Sequence, residues 1–147
     1  MNKGLNYIKT TLDFGSAYTL LQMCDQEFQP SLSQTMDLKK YAQKLSEKAQ
    51  FVLALDKGEM AGFVAYYLND DGHFIYVPLI WVSKVYQRKG IGQNLIGHLS
   101  ELALIGYSSI CLEVLKTNTT ALAFYKNEKF EEEEDRGEKF LLKKILS

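Results

Sequence analysis

The stretch with the clearest capacity for chemistry is Ser83-Lys84-Val85-Tyr86-Gln87-Arg88-Lys89-Gly90-Ile91-Gly92. Before it, His73 to Val82 is apolar and rich in β-formers (Phe74, Ile75, Tyr76, Val77, Leu79, Ile80, Trp81), which predicts a strand. After it, Ile91, Leu95, Leu99, Leu102 and Ala103 recur at helical spacing, and Gly106 stands where that helix should stop. A strand, a short basic glycine loop and a helix N-terminus in succession make an anion cradle. The first N–H groups of a helix have no intrahelical partner, and the helix dipole adds partial positive charge there. Gly90 and Gly92 lack a Cβ and admit a ligand close to the backbone. Arg88 and Lys89 add fixed charge at the rim. Two familiar phosphate loops do not fit. There is no Gly-x-x-x-x-Gly-Lys-Ser/Thr run, and the third glycine of a dinucleotide fingerprint is replaced by Leu95.

Composition narrows the setting. At 147 residues the chain is expected to form one domain, 1–147, with a single core. It is 46% hydrophobic and 24% charged, an ordinary globular balance. A net charge of −1 gives no global field for nucleic acid or an anionic membrane. Cys24 and Cys111 are far apart, and Cys111, in an apolar run, reads as a reduced core residue. His73 and His98 are isolated, so no metal site is expected. No apolar run approaches the ~18 residues of a membrane helix, and the polar start Met1-Asn2-Lys3-Gly4 gives no secretory leader. A cytoplasmic protein is the expectation.

The elements that must position the cradle follow from periodicity. Leu5 to Lys9 suits a first strand. Ala17, Leu20, Leu21, Cys24 and Phe28 mark a helix face, with Pro30 as its stop and Ser31–Thr35 as a loop. A second helix begins near Asp37, with Leu38, Tyr41, Ala42 and Leu45 on one stripe. Phe51–Leu55, Met60–Leu68 and the strand ending at Val82 form an antiparallel meander, and Gly62 marks a bulge or a close backbone contact. The helix over 91–105 crosses to a parallel strand, Ser109–Leu115, which turns Ile110, Leu112 and Val114 one way and Cys111, Glu113 and Leu115 the other. A short helix from Asn118 or Thr117 and a hairpin across Asp135-Arg136-Gly137 close the chain. The order is β-α-α-β-β-β-α-β-α-β-β, an α+β fold with a mixed central sheet and helices on both faces.

The loop Gln87, Gly90, Gly92 fits a Gln/Arg-x-x-Gly-x-Gly pattern. Downstream, Leu112-Glu113-Val114 with Asn118, Ala121, Tyr125 and Phe130 fits L-E-V-x-x-x-N-x-x-A-x-x-x-Y-x-x-x-G-F. Both motifs, and the element order, resemble the GNAT superfamily of acetyl-CoA-dependent N-acetyltransferases. One position departs: the glycine before Phe130 is Lys129 here.

The resemblance implies a transferase that moves an acetyl group from acetyl-CoA to a primary amine by direct attack in a ternary complex. It implies that the pantetheine arm pairs with backbone at Ile80, Trp81 and Val82. It also implies that Gln87, Arg88, Lys89, Gly90, Ile91 and Gly92 cradle the pyrophosphate, with Asn118 and Tyr125 also touching the cosubstrate. Tyr125 is then the candidate general acid for the leaving thiolate, since phenol and thiol pKa values are close. Glu113 is the candidate general base, with a pKa raised at the sheet centre, and a water chain is the alternative. Plain readings stand beside these: an aromatic packing residue for Tyr125, an ion-paired strand glutamate for Glu113, a helix cap for Asn118. The acidic run Glu131–Asp135 reads first as a solvated hairpin, and Phe28, Tyr66 and Tyr67 as packing residues that also stand where acceptor-site walls would. The acceptor is a small amine (amino sugar, polyamine, amino acid) or a protein N-terminus, and the pattern leaves room for a homodimer. The reading from another class is an acyl-CoA-binding regulatory module without turnover.

Overall fold

The computed structural model describes residues 4–146. Seven strands form one mixed sheet in the order β1-β2-β3-β4-β5-β7-β6. They are β1 (Leu5–Thr10), β2 (Gln50–Asp56), β3 (Glu59–Asn69), β4 (Phe74–Val82), β5 (Ser109–Leu115), β6 (Glu131–Asp135) and β7 (Lys139–Ile145). The helices are α1 (Phe14–Cys24), α2 (Leu32–Thr35), α3 (Leu38–Lys48), α4 (Ile91–Ser100) and α5 (Thr119–Asn127). None is long and apolar enough to cross a membrane. The α+β fold expected from the sequence is the one formed.

The sheet divides two cores. On one face, Ile91, Leu95, Ile96 and Leu99 of α4 and Tyr125 of α5 pack with Val64, Ile75, Ile110, Leu112 and Val114. On the other, Ala17, Leu20 and Leu21 of α1 and Ala42 and Leu45 of α3 pack with Phe51, Phe63, Ala65, Leu79 and Trp81. Side chains of a regular strand alternate, so Ile75, Val77, Leu79 and Trp81 would share one face. Here Ile75 and Val77 lie in the first core and Leu79 and Trp81 in the second. The switch comes from a bulge: Tyr67 pairs with Tyr76 but Ala65 pairs with Leu79, so β4 carries one extra residue at Val77-Pro78. Pro78 has no N–H to contribute to a ladder, which suits it to that position. A second shift falls beside Gly62, where a Cβ would come within 2.8 Å of the Trp81 carbonyl oxygen. That is the close backbone contact the glycine signalled.

β4 and β5 are parallel and pair only at Phe74–Ser109, Ile75–Ile110 and Tyr76–Cys111. Past these rungs the strands diverge, and the facing backbone of 77–82 and 112–115 has no ladder between them. β5 is paired along its whole length with β7 on its other side, so it cannot close the gap.

Four local expectations need correction. Helix α1 ends at Cys24, before Pro30: the chain tightens to a 3₁₀ turn over Asp25–Glu27, where the Asp25 carboxylate accepts from Ser33 N at 2.8 Å. The segment read as a loop contains α2, started by a capping box of Ser31 and Gln34. The helix after the cradle is α-helical only to Ser100 and tightens to a 3₁₀ turn over Glu101–Ile105. Cys111 is free but only half-buried, because it alternates away from the first core.

Lys129 adopts a left-handed backbone, φ 75°, as the glycine it replaces would. A side chain there is strained by ~1 kcal/mol. Lys129→Gly should therefore raise stability by up to about 1 kcal/mol in urea unfolding, with the m-value unchanged. A destabilised variant would show that the Lys129 side chain contributes more than its backbone costs.

Candidate functional site

Three features converge on the gap between β4 and β5. The first is the loop from Ser83 to Gly90. Its strand end is fixed by Ser83 N donating to Ala61 O (2.9 Å), and its middle by the Tyr86 hydroxyl donating to Asp56 Oδ2 (2.7 Å) on β2. The Gln87 side chain donates to Val82 O at 3.2 Å, so it braces the loop from within. Arg88 and Gly90 both take left-handed backbone, φ 65° and 79°, and turn the chain into α4. Asp13, Asp37 and Asn118 cap α1, α3 and α5 with their side chains, but α4 begins at Gly90 with no side-chain cap. Nothing lies within 4 Å of where a Gly90 Cβ would stand. The start of α4 therefore carries no side-chain cap and lies beside the exposed Arg88 and Lys89, a setting that suits a phosphate. The Lys89 ammonium stands 5.5 Å from the Tyr86 ring centroid.

Gly92 is placed differently from the expectation. A Cβ there would meet the Phe124 ring at 3.2 Å and Val82 at 3.9 Å. The glycine therefore sets the close approach of α4 to α5 at the end of β4, so a larger side chain would push on packing as well as on any ligand.

The second feature is the gap itself. Ile80 and Val82 pack toward the first core and Trp81 toward the second. Ser83 N bonds to Ala61 O and the Trp81 carbonyl is turned toward Gly62, so by the alternation of an antiparallel ladder the Trp81 backbone belongs to β3, a correction to the expectation for 80–82. Ile80 and Val82 turn their backbone groups to the edge facing β5, where Val82 O accepts from Gln87. The Trp81 Nε1 and Tyr67 hydroxyl are buried without a hydrogen-bond partner among the described residues. Of the aromatic residues read as candidate walls, Tyr66 is in the first core, Tyr67 packs against the second and Phe28 is half-buried beside it.

The third is a pair of titratable side chains on opposite faces of the sheet. Tyr125 is only 7% exposed, with ring centroids of Phe124 and Phe130 at 5.1 and 5.3 Å. Burial pushes its hydroxyl above the usual tyrosine value. Glu113 points the other way, between Leu112 and Val114 of the first core, just beyond the last β4–β5 rung. It is ion-paired: Arg136 Nη1 donates to Oε2 at 3.0 Å and Lys139 Nζ lies 4.0 Å from Oε1. Burial, and then the Glu113 charge, push the Tyr76 hydroxyl above its usual value. Asn118 caps α5 through Ala121 N at 3.1 Å. Sequence reasoning passed over Tyr76, Tyr86 and Arg136. The first two carry no motif, and Arg136 read only as a turn residue.

The sequence pattern of the acetyltransferase (GNAT) family matches residues 16–130. No curated protein matches the sequence. Among solved structures, the PaiA N-acetyltransferase of Thermoplasma acidophilum bound to coenzyme A superposes with TM-score 0.75 at 15% identity, covering 95% of this chain and 99% of that one. The ribosomal-protein-S18-alanine N-acetyltransferase of Escherichia coli gives 0.72 at 23% identity, over 97% and 95%. Arabidopsis thaliana NAA60 with a bisubstrate analogue gives 0.73 at 15%, over 95% and 98%.

Proposed function

The chain belongs to the acetyltransferase (GNAT) family, and from that premise we propose that it transfers acetyl from acetyl-CoA to a primary amine by direct attack within a ternary complex. The observation that carries this is the gap between β4 and β5, with Glu113 on one face, Tyr125 on the other and an uncapped, basic helix start at its end. Two of the structural relatives are N-acetyltransferases by name, which supports an amine as the acceptor. The free cysteines suit a reducing, cytoplasmic setting. We take 1–147 as one catalytic unit.

The bound cosubstrate supplies an activated thioester carbonyl. Every other part of the chemistry falls to the chain. The first turn of α4, with Arg88 and Lys89, holds the pyrophosphate, while Gln87 keeps the loop in shape. Backbone groups of Ile80 and Val82 on the side facing β5 hold an extended arm as an added strand would, with Trp81 between them bound into the β3 ladder. An N–H there, donating to the thioester oxygen, is worth about 3–4 kcal/mol by analogy with other preorganised donors. Glu113 takes a proton from the amine, directly or through water. Tyr125, kept protonated by burial, gives a proton on the side where the thiol departs. The opposed faces let the amine enter from one side and the thiol leave on the other.

The test is release of free thiol over amino sugars, polyamines, amino acids and short peptides, together with a melting curve. Acetyl-CoA at a hundredfold excess over its Kd should stabilise the fold by about 2.7 kcal/mol. A thermal shift with no thiol release from any amine would support the binding module instead. A melting curve unmoved by saturating acetyl-CoA would remove both readings.

A further inference from the structure

The two cations on Glu113 are held differently. Lys139 projects from β7, whereas Arg136 projects from the β6–β7 turn and is shared. Its Nη1 donates to Glu113 at 3.0 Å and its Nη2 to Glu134 Oε2 at 3.2 Å. The turn does not depend on the guanidinium for its shape. Arg136 N donates to Lys139 O at 2.8 Å and Lys116 N to Glu138 O at 2.9 Å. The Lys116 ammonium donates to Asp135 at 2.6 Å, and Gly137 N to the same carboxylate oxygen at 3.0 Å. The Arg136 side chain is 39% exposed, so it has room to swing while the turn stays in place. Glu134 offers it a carboxylate to keep after it leaves Glu113.

Position makes this contact consequential. Glu113 lies two residues past Cys111, the last rung with β4, at the mouth of the gap on the face away from Tyr125. An aliphatic primary amine is an ammonium near neutral pH. An acceptor that approaches on this face meets a carboxylate that already carries a cation.

We propose that Arg136 is a specificity-determining residue: its guanidinium holds, in the resting chain, the place on Glu113 that the acceptor's ammonium takes. The acceptor binds by exchange, with Arg136 retained on Glu134. The acceptor class is therefore a primary ammonium. A neutral hydroxyl or amide does not displace a guanidinium from a carboxylate, and such compounds leave the contact closed. This inference rests on the acetyl-CoA-dependent reading above.

The test needs no knowledge of the natural acceptor. S-(2-aminoethyl)-CoA carries an ammonium tethered where an attacking amine would stand, and S-ethyl-CoA is its neutral control. The ratio of their Kd values, measured by calorimetry, reports what the ammonium gains. Arg136→Gln should widen the preference for the aminoethyl compound by about 1.5- to 5-fold, the range of an exposed ion pair. Arg136→Lys should keep the wild-type ratio, and Glu113→Gln should abolish the preference. A ratio unmoved in Arg136→Gln, with both compounds bound, overturns this inference and leaves the acetyl-CoA reading standing. So does a preference that survives Glu113→Gln. If neither compound binds wild-type protein, the acetyl-CoA reading falls and takes this inference with it.

Discussion

Tyr125→Phe should lower kcat by about 10²–10⁴-fold, the range for a lost general acid, while the Kd of acetyl-CoA and the melting temperature barely move. The ring fills a site between Phe124 and Phe130 and is 7% exposed, so phenylalanine keeps the packing. What is lost is an interaction made mainly in the transition state, so kcat and kcat/KM should fall together. A packing role predicts the reverse: a lower melting temperature, weaker binding and a modest rate loss. The pH dependence has a definite sign. A raised pKa keeps the hydroxyl protonated at every pH below the ordinary tyrosine value of ~10. The acid is then competent throughout the neutral range, and its ionisation cannot shape the rate profile there. Wild type and variant should have profiles of the same form below about pH 10, offset by a constant factor. Any high-pH limb due to Tyr125 lies above the ordinary tyrosine value, because burial disfavours the phenolate. A variant that keeps more than about a third of wild-type turnover excludes Tyr125 as the acid, since the loss would fall far below the range above.

The elements that frame the site were legible because they have single-purpose sequences. Ile91, Leu95 and Leu99 can only be one helix face, and Ile110, Leu112 and Val114 one strand face; both bury as their spacing demands. That parity also placed Glu113 on the face away from the core. The bulge in β4 was hidden for a physical reason. Phe74 to Val82 is apolar at every position, so a change of phase leaves no trace in hydrophobicity, and Pro78 was the one local signal. The cradle was visible as glycines and cations, yet the spacing gave no way to tell the bare helix start at Gly90 from the packing contact of Gly92 against Phe124. Arg136 was out of reach altogether. It is 23 residues from Glu113, and the antiparallel register that sets Glu113 beside Leu141 and Leu115 beside Lys139 is what brings the Arg136 side chain to Glu113. Asp25 shows the same limit on a smaller scale: its carboxylate accepts from Ser33 N, eight residues away, at the point where the α-helix gives way to a 3₁₀ turn.

Reversing the rim charges with Arg88→Glu and Lys89→Glu together should raise the KM for acetyl-CoA by about 10²-fold. The comparison that gives the result its meaning is acetyl-pantetheine, which has the thioester and the arm but no pyrophosphate. Its KM should be the same in both proteins. Both residues are exposed, so the fold should lose little, and exposed substitutions typically fall within ±0.5 kcal/mol. This pair is a cleaner probe than Gly92→Val, whose side chain would collide with Phe124 and disturb the α4–α5 contact whether or not a phosphate binds nearby. Salt provides an independent reading of the same interaction. Charge attraction between exposed groups is screened over about 10 Å at 0.1 M salt. Wild-type affinity for acetyl-CoA should therefore weaken as salt rises, whereas the doubly reversed protein, which repels the pyrophosphate, should weaken less or improve. An equal rise in KM for acetyl-CoA and acetyl-pantetheine would mean that the substitutions had distorted the gap between β4 and β5. An unchanged KM for acetyl-CoA would mean that the pyrophosphate lies elsewhere and that the bare start of α4 is not its cradle.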